Sequence, residues 1–271
     1  QDMKAIVDLS PAAPCPAKFN LAAYVLAAGR ATPDKMALNV YESGQPRRYS
    51  YAELTKAVLG TATGLKAAGV RAGDRVMIRI GSTADFPVCF LALAALDAIA
   101  IPISVALSQS ETLALLETAS PAAIIFDQAL PCRGFNGLQI DVDQIRCFAN
   151  YPPAGPIMGD PNRPCYIIFT SGTSGRPRAV LHAHRAVWAR RMIWKGWYDL
   201  RSDDVMMHAG ALNWTYTLGT GLLDPWAIGA TAIIPNTQEI EDVWDIMRSE
   251  RATIFAAAPG VYRRLLATPN A

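Results

Sequence analysis

The amino-acid sequence predicts an α/β fold of layered helices and mostly parallel sheets. Apolar segments alternate between helix length and strand length almost from end to end, as they do where helices connect parallel strands. Hydrophobic residues make up 51% of the 271 residues and charged residues 18%, so the chain can bury a sizeable core. This balance excludes an intrinsically disordered protein.

The first half of the sequence consists of repeated strand and helix units. Ser50 and Glu53 have the spacing of a capping box, which predicts a helix through Ala68, and Gly69 suits the left-handed residue that follows a helix. The segments predicted next are strand 75–80, helix 86–96, strand 99–103, a helix opened by the capping-box pair Ser108 and Glu111, and strand 123–126.

A proline-rich connection interrupts this pattern between Cys147 and Pro164. Segments of this composition often separate two folded units. We therefore predict a first α/β subdomain over residues 1–155 and a second, incomplete α/β subdomain over residues 156–271 that begins with a phosphate-binding loop.

The second half of the sequence resumes the alternation. A predicted strand, 165–169, enters a loop rich in glycine, serine and threonine, and a long helix is predicted from about His184 to Trp197. The remaining predicted segments are strand 204–208, helix 216–228, strand 230–234, helix 239–250, strand 253–256 and helix 259–267.

Charge and cysteine content narrow the range of functions. A formal charge of +2 over the whole chain supplies no basic surface for nucleic acid or an anionic membrane, which favours a small-molecule partner. The five cysteines form no C-x-x-C pair and have no histidine close by in sequence, so we expect neither a zinc site nor a disulfide framework. Free thiols of this kind favour a cytoplasmic location.

The apolar stretch from Ala84 to Ile103 is the nearest approach to a membrane span. It contains two aspartates and two prolines, which are costly in a spanning helix. The stretch therefore predicts a buried helix followed by a buried strand.

The loop after strand 165–169 carries the clearest chemical signal. From Tyr166 to Val180 the sequence reads YIIFTSGTSGRPRAV. Glycines let backbone N–H groups approach an anion, hydroxyls add donors, and a guanidinium matches phosphate oxygens with two parallel bonds. We predict that this loop binds a polyphosphate through Thr170, Ser171, Gly172, Thr173, Ser174, Gly175 and Arg178.

Other interpretations of the loop fit the residues less well. The P-loop pattern is not satisfied, because Gly172 is followed by Gly175 after three residues and no lysine comes next. The nucleophile-elbow pattern G-x-S-x-G is one residue too long for this segment. A flexible surface loop remains the ordinary interpretation of a generic S-G-T-S-G segment.

The whole segment resembles the phosphate-binding signature of the adenylate-forming superfamily, which includes acyl-CoA synthetases, peptide-synthetase adenylation domains and luciferases. Residues 170–175, Pro177 and Arg178 match that signature position by position. Arg178 stands where lysine is usual, and Ala179 stands where glycine is usual. Arginine keeps the positive charge but is bulkier, so this departure bears on phosphate affinity more than on reaction type.

The resemblance extends along most of the chain. It places His184 on the family's usual histidine, which we assign to the substrate-binding region. We expect its role there to be structural, because a lone histidine at a helix start is more often a structural residue than a catalytic one. The resemblance places Trp214 on a position that lines the acyl pocket, which favours a short- or medium-chain carboxylate. An equal alternative is that Trp214 fills the core beside Leu212 and Tyr216. The resembling stretches are 20–24, 49–54, 69–76, 179–185, 224–231 and 257–262.

The resemblance implies an AMP-forming carboxylate–CoA ligase of fatty acid metabolism that uses ATP, Mg²⁺ and coenzyme A. Arg178 would be the catalytic residue that stabilises the departing pyrophosphate, together with the loop hydroxyls. Adenine, ribose and α-phosphate contacts are expected beyond Ala271, so we expect this truncated N-terminal domain to form no acyl-adenylate alone.

Three alternatives remain open at this point. The chain could be a non-catalytic nucleotide-binding domain, or an adenylation domain with an acceptor other than coenzyme A. It could also be an unrelated hydrolase with Ser174 as its nucleophile.

Overall fold

The computed structural model describes residues 12–42, 45–170, 177–237 and 239–269. It confirms a mixed α/β fold with two sheets. The strands are β1 (Met36–Glu42), β2 (Gln45–Ser50), β3 (Arg75–Arg79), β4 (Ile99–Pro102), β5 (Ala123–Phe126), β6 (Leu138–Asp141), β7 (Pro164–Thr170), β8 (Arg178–Ala183), β9 (Val205–Ala209), β10 (Thr231–Ile234) and β11 (Ile254–Ala257).

Helices connect most of these strands. A 3₁₀ segment (Ala28–Ala31) follows the first helix, and a π-helix (Thr217–Leu223) precedes the eighth. The α-helices are α1 (Leu21–Ala27), α2 (Tyr51–Ala67), α3 (Asp85–Ala95), α4 (Gln109–Ala119), α5 (Val142–Phe148), α6 (Ala186–Ala189), α7 (Arg191–Trp197), α8 (Asp224–Ile228), α9 (Ile240–Ser249) and α10 (Pro259–Leu266).

The two sheets are mostly parallel, as predicted. Within the described residues, the first has the order β11-β9-β10-β1-β2 and the second has the order β6-β5-β3-β4-β7-β8. The antiparallel pairs are β1 with β2 and β7 with β8. The carboxyl ends of the parallel strands therefore lie along one edge of each sheet, where α/β proteins usually bind ligands.

Each sheet takes strands from both sides of residue 155. The β1–β2 hairpin belongs to the sheet of β9, β10 and β11, whereas β7 and β8 belong to the sheet of β3 and β4. The division into subdomains 1–155 and 156–271 stays a prediction. Any such division has to accommodate these exchanged strands.

Local signals determine several helix ends. The Ser50 hydroxyl accepts the Glu53 N–H at 3.2 Å, and the Glu53 carboxylate accepts the Ser50 N–H at 2.8 Å. The same reciprocal pair forms between Ser108 and Glu111. After α2, Gly69 has φ +112°, which favours glycine. These capping predictions are confirmed.

The main core lies around α3, whose residues are all buried. This agrees with the predicted buried helix within the apolar stretch that begins at Ala84. Helix α2 approaches α5 closely, because a Cβ on Gly60 would lie 2.6 Å from the Ala149 carbonyl oxygen. No helix in the described ranges has the length and apolarity needed to cross a bilayer.

The prediction of one helix from His184 to Trp197 is wrong in two respects: the helical structure begins later, and it is divided into two helices. His184 and Arg185 form a turn, after which α6 and α7 are two short helices separated at Arg190. Residues 178–183 form the strand β8, which the sequence pattern did not indicate. This strand is mostly exposed, so it lacks the apolar alternation that predicts strands.

Candidate functional site

A continuous groove runs along the carboxyl ends of the strands. A cavity of 290 Å³ beside β9 and β10 shares Ser82 and Ala211 with a small cavity of 60 Å³. The small cavity in turn shares Ser104 and Asn213 with a cavity of 340 Å³ beside β4 and β7. We call these three cavities the strand-end groove. It joins the edges of both sheets.

The ends of the predicted phosphate loop meet at this groove. Thr170 at the end of β7 lies opposite Arg178 at the start of β8 in the antiparallel ladder. Thr170 and Pro177 both line the 340 Å³ cavity, and the Arg178 side chain is exposed. The loop is therefore anchored at its two ends beside an open, partly polar space. The predicted residues Ser171, Gly172, Thr173, Ser174 and Gly175 lie outside the described residues.

The 340 Å³ cavity combines an apolar floor with a few polar groups. Leu107, Leu115 and Phe169 supply apolar surface, while Glu111 and Asn213 supply polar atoms. A concave space of this size and character can hold part of a small organic molecule.

Trp214 lies directly beyond Asn213, and 57% of its surface is exposed. By contrast, Leu212 is 2% exposed and belongs to the main core. The indole of Trp214 therefore does not fill the core of the described chain. Its role in an acyl pocket stays a prediction.

Tyr216 and Trp197 extend the aromatic surface near Trp214. The Tyr216 and Trp197 rings are stacked with centroids 6.3 Å apart, and both side chains are exposed. Trp214 precedes Tyr216 by two positions and is exposed as well, and we call these three exposed residues the aromatic wall. Such walls suit flat or apolar acyl groups.

His184 lies at a buried junction instead. Its Nδ1 accepts the Leu21 N–H at 3.0 Å, so Nε2 carries the proton and donates to Asp97 Oδ1 at 3.1 Å. Arg163 Nε donates to the same carboxylate oxygen at 2.6 Å. Burial, and then the Arg163 charge, lower the pKa of His184 to about 4, although Asp97 opposes this shift. The imidazole is therefore neutral, and its hydrogen bonds link α1 to the segments that carry Asp97 and Arg163.

The structure separates His184 from the ends of the phosphate loop. Arg178 begins β8, and His184 follows the last residue of that strand. Six extended residues span roughly 20 Å. A contact between His184 and substrate therefore stays a prediction, and the hydrogen bonds at the junction give this residue a structural role.

His208 received no role from the sequence, yet the structure makes it unusual. It is 1% exposed near the end of β9, and neither ring nitrogen has a hydrogen-bond partner among the described residues. The Tyr216 ring meets it edge-on at 4.6 Å between centroids. Burial lowers the pKa of His208 to about 4. One available signal was the position of this histidine at the end of a predicted strand, six residues before Trp214.

A buried ion pair supports the π-helix that follows Tyr216. Asp224 is fully buried and accepts two hydrogen bonds from Arg190, at 2.7 Å and 2.6 Å. The Tyr198 hydroxyl donates to the same carboxylate at 2.5 Å. A Cβ on Gly219 would lie 2.4 Å from Arg190 Cζ, so a side chain there would displace the guanidinium that pairs with Asp224. These contacts fix the base of the aromatic wall.

Two glutamates, Glu111 and Glu239, line the strand-end groove. The part of the chain that the structure describes contains no group of three or more histidine, cysteine, aspartate or glutamate side chains arranged to hold an ion.

Comparison with protein families gives one match over most of the sequence. A family model described as AMP-binding enzyme matches residues 26–271.

Curated relatives match over a similar range. The 3-hydroxybenzoate–CoA/4-hydroxybenzoate–CoA ligase of Thauera aromatica is 25% identical over 248 residues, covering 81% of this chain and 46% of the relative. The long-chain-fatty-acid–CoA ligase FadD13 of Mycobacterium tuberculosis is 28% identical over 244 residues, covering 82% of this chain and 47% of the relative. The chain thus spans about half the length of the curated relatives it matches.

Solved structures show the same fold. The N-terminal domain of FACL13 from Mycobacterium tuberculosis, in an inhibitor-bound crystal structure, has a TM-score of 0.84 at 22% identity, covering 93% of this chain and 66% of that one. The anthranilate CoA ligase AuaEII in complex with anthranoyl-AMP has a TM-score of 0.83 at 22% identity, covering 94% of this chain and 52% of that one.

Proposed function

Since this chain belongs to the AMP-binding enzyme family, we propose that it is the N-terminal part of an AMP-forming acyl-CoA synthetase. The observation that carries the proposal is the shared lining of the 340 Å³ cavity. Thr170 and Pro177 from the ends of the phosphate loop and Asn213 beside Trp214 all face that space. Phosphate and acyl recognition would therefore meet in one groove.

The proposed reaction joins a carboxylate to the α-phosphate of ATP and expels pyrophosphate. A carboxylate is a poor acyl donor, and adenylate supplies the missing leaving group. Thr170, Arg178 and the loop between them would stabilise charge on the departing pyrophosphate. One preorganised donor of this kind is worth about 3 kcal/mol. Bound Mg²⁺ would neutralise part of the phosphate charge. Coenzyme A would then accept the acyl group.

We propose a short- or medium-chain carboxylic acid as the substrate, in fatty acid metabolism of the cytoplasm. The support is the exposed indole of Trp214, which would shorten an acyl pocket that opens beside Asn213. Relatives named for hydroxybenzoate and for long-chain fatty acids show that the family accepts acids of different shapes. The pocket walls of each protein would set its selectivity.

Because the chain spans about half the length of these relatives, the remaining catalytic groups would lie in further sequence. We propose that the 271-residue chain forms no acyl-adenylate by itself. Losing one group from a charge-stabilising site costs about 10²- to 10³-fold in rate, and several losses together would remove detectable activity.

The test is carboxylate-dependent exchange of labelled pyrophosphate into ATP by the full-length protein. Arg178→Ala should lower kcat/KM for ATP about tenfold or more, because it removes a charge-assisted phosphate contact, while acid affinity stays nearly constant. Arg178→Lys should keep most of the activity. His182→Gln, on the same strand, is the matched control and should behave as the unmodified protein.

An Arg178→Ala protein whose ATP kinetics stay within twofold of the parent would disprove the loop assignment. Absence of exchange with every acid of a broad panel would favour the non-catalytic alternative.

A further inference from the structure

The imidazole of His208 is buried without hydrogen-bond partners in the described part of the chain. At 1% exposure, both nitrogens are shielded from bulk water. An unpaired buried polar group destabilises a protein, and buried polar atoms in proteins are nearly always paired. Asn39 is likewise buried with both side-chain atoms unpaired, so an unpaired group alone does not identify a ligand, and the position of His208 beside the strand-end groove is the second observation.

Two glycines leave room for the ring. Gly221 of the π-helix lies against it, since a Cβ there would be 2.8 Å from the His208 Cβ. Gly210 also lies against it, since a Cβ there would be 3.2 Å from the ring Nδ1. Larger side chains at these positions would push the imidazole aside. The backbone thus keeps the polar ring in place even though the described residues leave it unpaired.

His208 also adjoins the strand-end groove. The three residues that follow it, Ala209, Gly210 and Ala211, line the 290 Å³ cavity. Tyr216 covers the ring, is itself 38% exposed, and touches His208 and Trp197 through aromatic contacts. Tyr216 is therefore the residue that a group entering from the groove would have to displace to reach the ring.

We propose that His208 is a specificity-determining residue of the acyl pocket and reads a hydroxyl or amino group on the carboxylic acid substrate. This inference rests on the proposed acyl-adenylate function and names its substrate class. The carboxylate would lie at the phosphate loop, the acyl group would pass along the aromatic wall, and its polar substituent would displace Tyr216 to reach the imidazole.

The chemistry of the ring selects this class of substituent. A neutral imidazole offers one N–H donor and one nitrogen acceptor. Hydroxyl and amino groups can both donate and accept, so either can pair with the ring, whereas an unsubstituted acid leaves both nitrogens unpaired. Sites built to hydrogen-bond a substrate group reject analogues that lack it more strongly than apolar pockets reject an extra methylene.

The experiment compares matched acids in the full-length protein. Benzoate, 3-hydroxybenzoate and 3-aminobenzoate form one series; butyrate, 4-hydroxybutyrate and 4-aminobutyrate form another. We expect kcat/KM in pyrophosphate exchange to favour a substituted acid over its parent by about 10- to 100-fold in at least one series. The hydroxyl and amino arms distinguish the two substituents.

The variant His208→Leu should lower kcat/KM for the preferred substituted acid by about tenfold or more and leave the parent acid within about threefold. His208→Gln, which keeps a donor and an acceptor, should retain part of the preference. His182→Gln provides the matched histidine control and should leave the ratio unchanged. Thermal melting of each variant checks that it folds.

Calorimetric binding of the same acids separates this inference from the function on which it rests. If no acid supports exchange but the substituted acid binds more tightly than its parent in a His208-dependent way, the synthetase proposal fails and the inference stands. Equal use and equal binding of parent and substituted acids by the unmodified protein would overturn the inference. A preference that survives in His208→Leu would overturn it as well.

Discussion

Two buried histidines in this protein have similar burial but opposite surroundings. His184 and His208 are 0% and 1% exposed, and burial lowers the pKa of each to about 4. Both nitrogens of His184 are paired, with Leu21 and Asp97, whereas neither nitrogen of His208 has a partner in the described chain. Burial alone therefore does not reveal what a histidine does. Hydrogen-bond pairing distinguishes His184, which joins segments of the fold, from His208, which is unpaired in the described chain.

The difference also matches their places in the fold. His184 joins α1 to the segments that carry Asp97 and Arg163, far along β8 from the phosphate loop. His208 is the residue before the last one of the parallel strand β9, at the edge where the groove lies. A fully paired ring at a junction stabilises the fold, and an unpaired ring at a strand end can serve recognition.

Of the two histidine substitutions, the one that breaks the His184 junction should cause the larger loss of stability. His184→Leu leaves the Leu21 N–H unpaired inside the protein and removes one contact to Asp97, so we expect a loss of about 2 to 4 kcal/mol in the free energy of unfolding. Urea denaturation of the 271-residue chain measures it. His208→Leu, the control, should be neutral or stabilising because it removes unpaired polar atoms. A junction variant that loses no more stability than this control would contradict the comparison.

A pH titration of stability tests both rings together. Each folded-state pKa, about 4, lies below the ordinary value of 6.5, so the unfolded chain binds protons that the folded chain resists. The free energy of unfolding should be highest above pH 6.5 and should fall by a few kcal/mol as the pH drops to about 4. Denaturant midpoints across this range give the curve. His208→Leu should make it shallower; an unaltered slope would show that His208 does not contribute.

The smallest stability effect is expected on the aromatic wall. Trp214→Ala should change the free energy of unfolding by less than about 1 kcal/mol, because the indole is 57% exposed, and should shift acyl-chain preference without changing the KM for ATP. Trp226→Ala is the matched control: that indole is fully buried and donates to the Ala37 carbonyl, so its loss should cost about 3 to 5 kcal/mol. Equal activity losses for all acids in Trp214→Ala, with a lowered melting temperature, would assign Trp214 to the core.

Much of the helix and strand content was predictable, because the signals are local. The capping boxes at Ser50 and Ser108 use residues three apart, and the buried strands are short apolar runs. The strands β1, β2, β6 and β8 were not predicted. β2 and β8 are partly or mostly exposed, so their pairing partners stabilise them as strands, whereas β1 is buried over residues 37–40 and lies between β10 and β2.

The candidate site divides in the same way. The loop signature from Thr170 to Arg178 is contiguous in sequence and could be recognised there. The sequence did not reveal that Thr170 and Asn213 line the same cavity. They are 43 positions apart, and their proximity depends on how the sheets pack.

By itself, the sequence determined the fold class, the helix caps and the phosphate-loop signature, because each depends on residue types within a few positions of one another. The tertiary structure decided which strands share a sheet, which loops meet in the strand-end groove, and which histidine is paired. The sequence alone does not show that His184 is paired and His208 is unpaired. Whether a buried ring finds donors and acceptors depends on long-range neighbours such as Leu21 and Asp97, which come together through packing of the whole chain.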